Sequence, residues 1–163
     1  MEKAYFAGGC FWCITPTFRE MEGVASVTSG YSGGDEIAPS YEDVKHQRTG
    51  HRETICIEFD PEKVTFESLL QIFLCSVDPF DDGGQFIDRG FSYTLAVYYL
   101  TEAQKTATET ALQNLAREAG RTPFIALEEF KNFYTAEEYH QDYDLKNPEA
   151  FRKELIESGR MQE

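Results

Sequence analysis

The chain has 163 residues, a length suited to one domain that buries roughly two-thirds of its unfolded surface. Its 15 Lys and Arg stand against 29 Asp and Glu, a formal charge of −14, which argues against nucleic-acid binding and for a soluble, self-repelling surface. No apolar run approaches the roughly 18 residues of a membrane span, Met1-Glu2-Lys3-Ala4 does not open a secretory signal, and the expected compartment for the four cysteines is reducing cytoplasm.

Residues 3–7 form a short apolar run that reads as a strand. Gly8-Gly9-Cys10-Phe11-Trp12-Cys13 closes it and opens a helix from about residue 11 to 21, kinked or tightened at Pro16. Glu22-Gly23 is a turn, residues 24–31 a second strand, and Gly30-Tyr31-Ser32-Gly33-Gly34 a flexible loop. Ser40 caps a short helix reaching His46. Residues 53–59 alternate as a third strand stopped by Asp60-Pro61, and Thr65 caps an amphipathic segment to Cys75. The stretch 77–90, rich in Asp and Gly, reads as a long ordered loop.

Residues 92–100, aromatic and β-branched, form the clearest strand. Thr101-Glu102-Ala103-Gln104 is a capping box that starts a helix to about Ala119. Residues 125–130 are the expected last strand. Thr135-Ala136-Glu137-Glu138 reads as a second capping box leading a helix through His140 and Tyr143. Pro148 opens a final helix that Gly159 ends. With no repeat and no linker, the pattern predicts one α+β domain over 1–163, a two-layer α/β sandwich with helices on at least one face of one sheet. Strand order does not follow from it.

Cys10 sits where unpaired backbone N–H groups at a helix start favour a thiolate. Two glycines allow a sharp turn before it, and Phe11 and Trp12 supply an apolar wall, an arrangement suited to chemistry on a small apolar group. Cys10-x-x-Cys13 alone is ambiguous between thiol–disulfide exchange and half of a zinc site. Zinc needs about four ligands, and neither Cys56 nor Cys75 has a partner two or three residues away. No metal or other cofactor is therefore expected.

Further along come Gly50-His51-Arg52-Glu53, Gly84-Gln85-Phe86-Ile87-Asp88-Arg89-Gly90 with Tyr93, and Glu138-Tyr139-His140-Gln141-Asp142-Tyr143. With Gly9-Cys10-Phe11-Trp12 and the Gly30 loop, these motifs make the chain, from about Tyr5 to Pro148, resemble the peptide methionine sulfoxide reductase A family. The resemblance implies a ferredoxin-like mixed sheet core. It implies reduction of methionine sulfoxide, free or in proteins, at the S epimer, since separate enzymes handle the two epimers. It also implies Cys10 as nucleophile, Phe11 and Trp12 as the methyl pocket, and Glu53, Tyr31 and Tyr93 around the sulfoxide oxygen. Asp88 matches a supporting carboxylate, and His140 and Tyr143 fall with the substrate-binding residues.

Such chemistry needs a nucleophile on sulfur and a proton for the oxygen. Near Phe11, Trp12, Tyr31 and Tyr93, Glu53 is expected to hold its proton and donate it, while Tyr31 and Tyr93 donate phenolic hydrogen bonds. The Cys10 sulfenic acid left behind is expected to condense with Cys13, since residues three apart on a helix lie about 5–6 Å from one another. Thioredoxin or a similar dithiol would then open the disulfide.

The chain departs from the common family pattern twice. Cys13 stands where many members have glycine and no cysteine follows Cys75, so Cys56, Cys75 and an external thiol stay open as resolving groups. Thr94 and Leu95 after Tyr93, with Phe91 before it, predict a more apolar pocket rim. His140 invites a Cys–His reading, although Tyr139 and Tyr143 around it favour a packed histidine. A general dithiol–disulfide exchange protein is the alternative activity, a non-catalytic binder of oxidised segments a third. A monomer without nucleic-acid or membrane partners is expected.

Overall fold

The structure, a computed structural model, describes residues 1–161. In chain order it runs β1 (Glu2–Gly8), α1 (Phe11–Arg19), β2 (Val24–Ser32), α2 (Tyr41–Lys45), β3 (Arg52–Phe59) and α3 (Phe66–Ser76). Then follow β4 (Gly84–Gln85), β5 (Asp88–Arg89), β6 (Leu95–Tyr99), α4 (Glu102–Ala119), β7 (Ile125–Glu129), β8 (Tyr134–Thr135), α5 (Tyr143–Lys146) and α6 (Pro148–Glu157).

The main sheet has the order β7-β6-β1-β3-β2-β8, with β4 and β5 paired separately as a hairpin. β1 is antiparallel to both β3 and β6, β2 is antiparallel to β3, and β7 joins parallel to β6. The central strands with α1 and α3 make the expected ferredoxin-like sandwich, and the α4 crossover adds the parallel strand that makes the sheet mixed.

Strand alternation sorts the sheet into two faces. Ala4 and Phe6 of β1, with Ile55, Ile57 and Phe59 of β3, meet Phe11, Ile14 and Phe18 of α1 and Leu69, Leu70 and Phe73 of α3. Phe6 and Phe73 stack at 4.7 Å between ring centroids. Tyr5, Ala7, Cys56, Ala96 and Tyr98 face the other way, under Phe130 and Phe133.

Most capping expectations hold. Ser40 Oγ accepts from Asp43 N–H, and Thr65 Oγ1 from Ser68 N–H. Thr101 Oγ1 accepts from Gln104 N–H, but Gln104 does not complete a reciprocal box. Its side chain accepts from Leu100 N–H at 2.9 Å and donates to Lys3 O at 2.9 Å, which ties α4 to β1.

Four expectations are corrected. The strand set at 92–100 begins only at Leu95, because Phe91–Tyr93 forms one turn of 3-10 helix with Ser92 N–H donating to Gln47. The 77–90 loop contains the β4–β5 hairpin. The strand at 125–129 is not the last, since Tyr134–Thr135 pairs with the β2 edge. The second capping box does not cap. Thr135 lies in β8, Ala136 N–H donates to Ser29 O, and Gln141 grips both Ser29 N–H and Ser29 O, so 136–141 is pinned along β2. Only a 3-10 turn (Glu138–His140) and the short α5 remain of that helix.

Replacing Gln104 with Ala should cost about 1–2 kcal/mol, because two part-buried side-chain-to-backbone bonds are lost. The urea midpoint measured against the unaltered protein checks this, and an unchanged midpoint would show that water replaces the amide.

Candidate active site

Cys10 is the N-cap residue of α1 and is 5% exposed. The turn before it needs glycine. Gly9 has φ +83°, and a Cβ there would lie 2.8 Å from Gln85 Cβ. Gln85 is itself locked by its amide, which accepts from Asp78 N–H and donates to Asp78 O. The β4–β5 hairpin thus presses against the backbone just ahead of the sulfur. Pro16 sits within α1 and removes an internal N–H, while Thr15 Oγ1 donates to Phe11 O at 2.6 Å.

The expectation that the helix start serves Cys10 is corrected. Cys10 makes no side-chain cap bond, and the Phe11 N–H donates instead to Glu53 Oε1 at 3.1 Å. Glu53 lies on the same side of β3 as Ile55, Ile57 and Phe59 and is 1% exposed, so its carboxyl points beneath α1. Burial pushes its pKa up to about 8. The Phe11 N–H and the Tyr93 hydroxyl oppose that rise, while the negative charges of Asp88 and Cys13 add to it. With Oε1 engaged as acceptor, the proton belongs on the second oxygen.

Cys10 and Cys13 interact through their sulfurs. The Cys10 thiol is pushed well above its ordinary range, first by its hydrogen bond to Cys13, then by burial and by the charges of Cys13, Glu53 and Asp88. Cys13 is lowered, first by the same bond and also by Arg160, against opposition from burial, Asp88 and Glu154. Of the pair, Cys13 is the more readily ionised.

The aromatic residues divide. Phe11 is fully buried in the main core, with its ring 5.9 Å from Tyr31 and 5.2 Å from His140. Trp12 is half-buried and stacks on Tyr143 at 3.9 Å and 11°. The Trp12 indole N–H donates to His140 Nδ1 at 3.0 Å, which makes His140 the tautomer protonated at Nε2. His140 is 1% exposed and burial lowers its pKa, so it is a packed neutral histidine bound to the pocket wall and not a base on Cys10. Arg19 bridges Asp142 at 3.2 Å and Asp144 at 2.6 Å, which holds Tyr143 against Trp12.

Tyr31 pairs across the strands with Glu53, but its hydroxyl donates to Glu137 at 2.8 Å. Tyr93 is the tyrosine whose hydroxyl lowers the Glu53 pKa, against the burial that raises it. Asp88, half-buried on β5, has its pKa raised by burial, and its Oδ2 has no partner among the described residues.

Three contributors had gone unnoticed in the sequence. Tyr41, at the start of α2, faces Glu53 and Cys10 and lies 4.2 Å from His140. Glu137 joins Tyr31 OH to Tyr41 N–H; the only signal at its position was the capping-box pattern, which misled. Arg160 Nη1 donates to Cys13 Sγ at 3.3 Å. Cys56 lies on the opposite sheet face beside Tyr5, and Cys75 is exposed on α3, so neither belongs to this group. Phe91 is 46% exposed with the Arg52 guanidinium over its ring, Thr94 Oγ1 accepts from Arg52 Nε, and Leu95 is buried in the main core.

Glu53 binds its proton more tightly in the folded chain than in the unfolded one. Between about 4.5 and about 8 the native state therefore keeps a proton that the unfolded state releases, and stability falls as pH rises across that window. Glu53→Gln should flatten this fall. Urea midpoints of both proteins at the two ends of the window test it, and equal slopes would place the Glu53 pKa near its ordinary value.

A family model described as peptide methionine sulfoxide reductase matches residues 2–163. The Staphylococcus aureus (strain Mu50) protein named peptide methionine sulfoxide reductase MsrA 2 is 48% identical over 162 residues, covering 98% of this chain and 91% of that protein. Among solved structures, Mxr1 from Saccharomyces cerevisiae in reduced form aligns with a TM-score of 0.85 at 27% identity, over 91% of this chain and 86% of that one. Methionine sulfoxide reductase A of Corynebacterium diphtheriae aligns with a TM-score of 0.80 at 28% identity, over 90% and 75%.

Proposed function

The chain belongs to the peptide methionine sulfoxide reductase family, and from that premise we propose that Cys10 is the nucleophile, Glu53 the proton donor and Cys13 the resolving thiol. The reaction is thiol-dependent reduction of methionine sulfoxide to methionine. The observation that carries the assignment is the bond from Phe11 N–H to Glu53 Oε1, which holds a protonated carboxyl one residue from the reactive sulfur.

The substrate methyl group rests against Trp12, whose ring is fixed by Tyr143 and His140. Cys10 sulfur attacks the sulfoxide sulfur while Glu53 protonates the oxygen, with Tyr93 and Tyr41 hydroxyls beside the developing charge. The oxygen ends on Cys10 as a sulfenic acid and methionine leaves; the proton that Cys10 loses balances the one Glu53 delivers. Phe11 and Tyr31 form the rigid floor beneath, and Asp88 supports Glu53 by disfavouring its ionised form. Cys13 then condenses with the sulfenic acid, releasing water, and a dithiol protein of the thioredoxin type reduces the disulfide by exchange.

The S epimer is the proposed substrate. Supplied with both epimers and dithiothreitol, the protein should consume one only, and Cys10→Ser should consume neither. Substantial turnover by that variant would remove Cys10 from the mechanism, and equal use of both epimers would remove the stereochemical assignment.

Glu53→Gln should slow methionine release in a single turnover by about 100-fold or more with little change in substrate affinity. The unaltered protein should lose its rate as pH rises through about 8, where Glu53 gives up its proton. An unchanged rate in the variant would exclude proton donation by Glu53. Mass spectrometry after one turnover without reductant should show a Cys10–Cys13 link, whereas a link to Cys56 or Cys75 would reassign the resolving thiol.

A further inference from the structure

Three carboxyl groups from three elements face the sulfur pair: Glu53 of β3, Asp88 of β5 and Glu154 of α6. In a chain carrying −14, Arg160 reaches this cluster, with Nη1 3.3 Å from Cys13 Sγ, and it also acts on Asp88 and Glu154, while Lys45 acts on Asp88 alone. The Arg160 guanidinium carbon also lies 3.9 Å from the centroid of the Phe86 ring at the tip of the β4–β5 hairpin. The group is therefore held between an aromatic face and a sulfur.

The backbone delivers it there by a defined reversal. After α6, Ser158 closes the helix and Gly159 adopts φ +80°. Gly159 N–H donates to Ile156 O at 3.1 Å and Arg160 N–H to Leu155 O at 2.9 Å, the two bonds of a Schellman cap. The cap turns the chain so that Arg160 reaches α1. The glycine that marks the helix end is thus also what brings a charge to Cys13.

We propose that Arg160 holds Cys13 as the thiolate of the pair, so that the second sulfur meets the Cys10 sulfenic acid as a ready nucleophile. This rests on the reading of Cys13 as the resolving thiol. In that step the Cys13 thiolate supplies the electron pair for the new S–S bond and the S–O bond of the sulfenic acid breaks. The departing hydroxyl takes one proton, carried by Glu53 after reprotonation from solvent, and leaves as water. Cys13 is oxidised and the sulfenic sulfur reduced, with no further reductant. Opposite charge beside a thiol favours its ionised form, and Arg160 offsets Asp88 and Glu154, which oppose it.

The test uses the full chain. In a Cys10→Ser background, the pH dependence of Cys13 alkylation by iodoacetamide, read by peptide mapping, isolates the Cys13 thiolate from Cys56 and Cys75. Arg160→Met should raise the midpoint by about one pH unit or more, and Arg160→Lys should restore most of it. With Cys10 present, one turnover without reductant should show disulfide formation slowed about tenfold relative to methionine release in Arg160→Met. Gly159→Ala, which leaves the guanidinium intact but strains its turn, should move both readouts the same way. An unmoved midpoint and an unmoved disulfide rate would overturn the role of Arg160 while the Cys10–Cys13 link still formed. Absence of that link in the unaltered protein would instead overturn the assignment of Cys13.

Discussion

The bond between the Phe11 N–H and Glu53 Oε1 ties the helix start that carries Cys10 to a buried carboxyl. A helix start leaves backbone donors unpaired, and here one of them is answered by a carboxyl from a neighbouring strand, not by the N-cap side chain. The consequence is that the proposed nucleophile and the proposed proton donor are held close together by a backbone donor that grips a buried side chain. A carboxyl buried this far costs free energy when ionised, and that cost is what keeps the proton available near neutral pH.

The rest of the molecule serves that geometry. β3 presents Glu53 among Ile55, Ile57 and Phe59, so the carboxyl is driven under α1 by the same alternation that builds the core. The β4–β5 hairpin packs Gln85 onto Gly9 and fixes the turn into Cys10. The segment after β8 lies along β2, where Gln141 mimics a strand partner, and this brings His140 and Tyr143 to Trp12. Glu137 completes the frame by joining Tyr31 to Tyr41.

Around the thiols, electrostatics separates two similar groups three residues apart. Cys10 lies deeper and faces carboxyls, while Cys13 has a guanidinium beside it. Cys10 therefore holds its proton the more tightly, and Cys13 carries charge more easily. A general dithiol–disulfide exchanger has no need of a buried protonated Glu53 or of a stacked Trp12–Tyr143 wall, which is why the site suits sulfoxide reduction.

Local patterns in the sequence were enough for the helix starts at Ser40, Thr65 and Thr101, the alternation of β3 and the glycine turn into Cys10, because each depends on neighbours within a few residues. The motifs around Cys10, Glu53, Tyr93 and Tyr143 were equally legible through family likeness. Long-range pairing decided the rest. The Thr135 pattern matches a capping box, yet hydrogen bonds to Ser29, about a hundred residues away in sequence, outcompete the helix it would start. Cys13 is made the more acidic thiol first by its local bond with Cys10 and also by Arg160, 147 residues away. Such charges act through space, and their distances exist only once the sheet order and the α6 cap have been set.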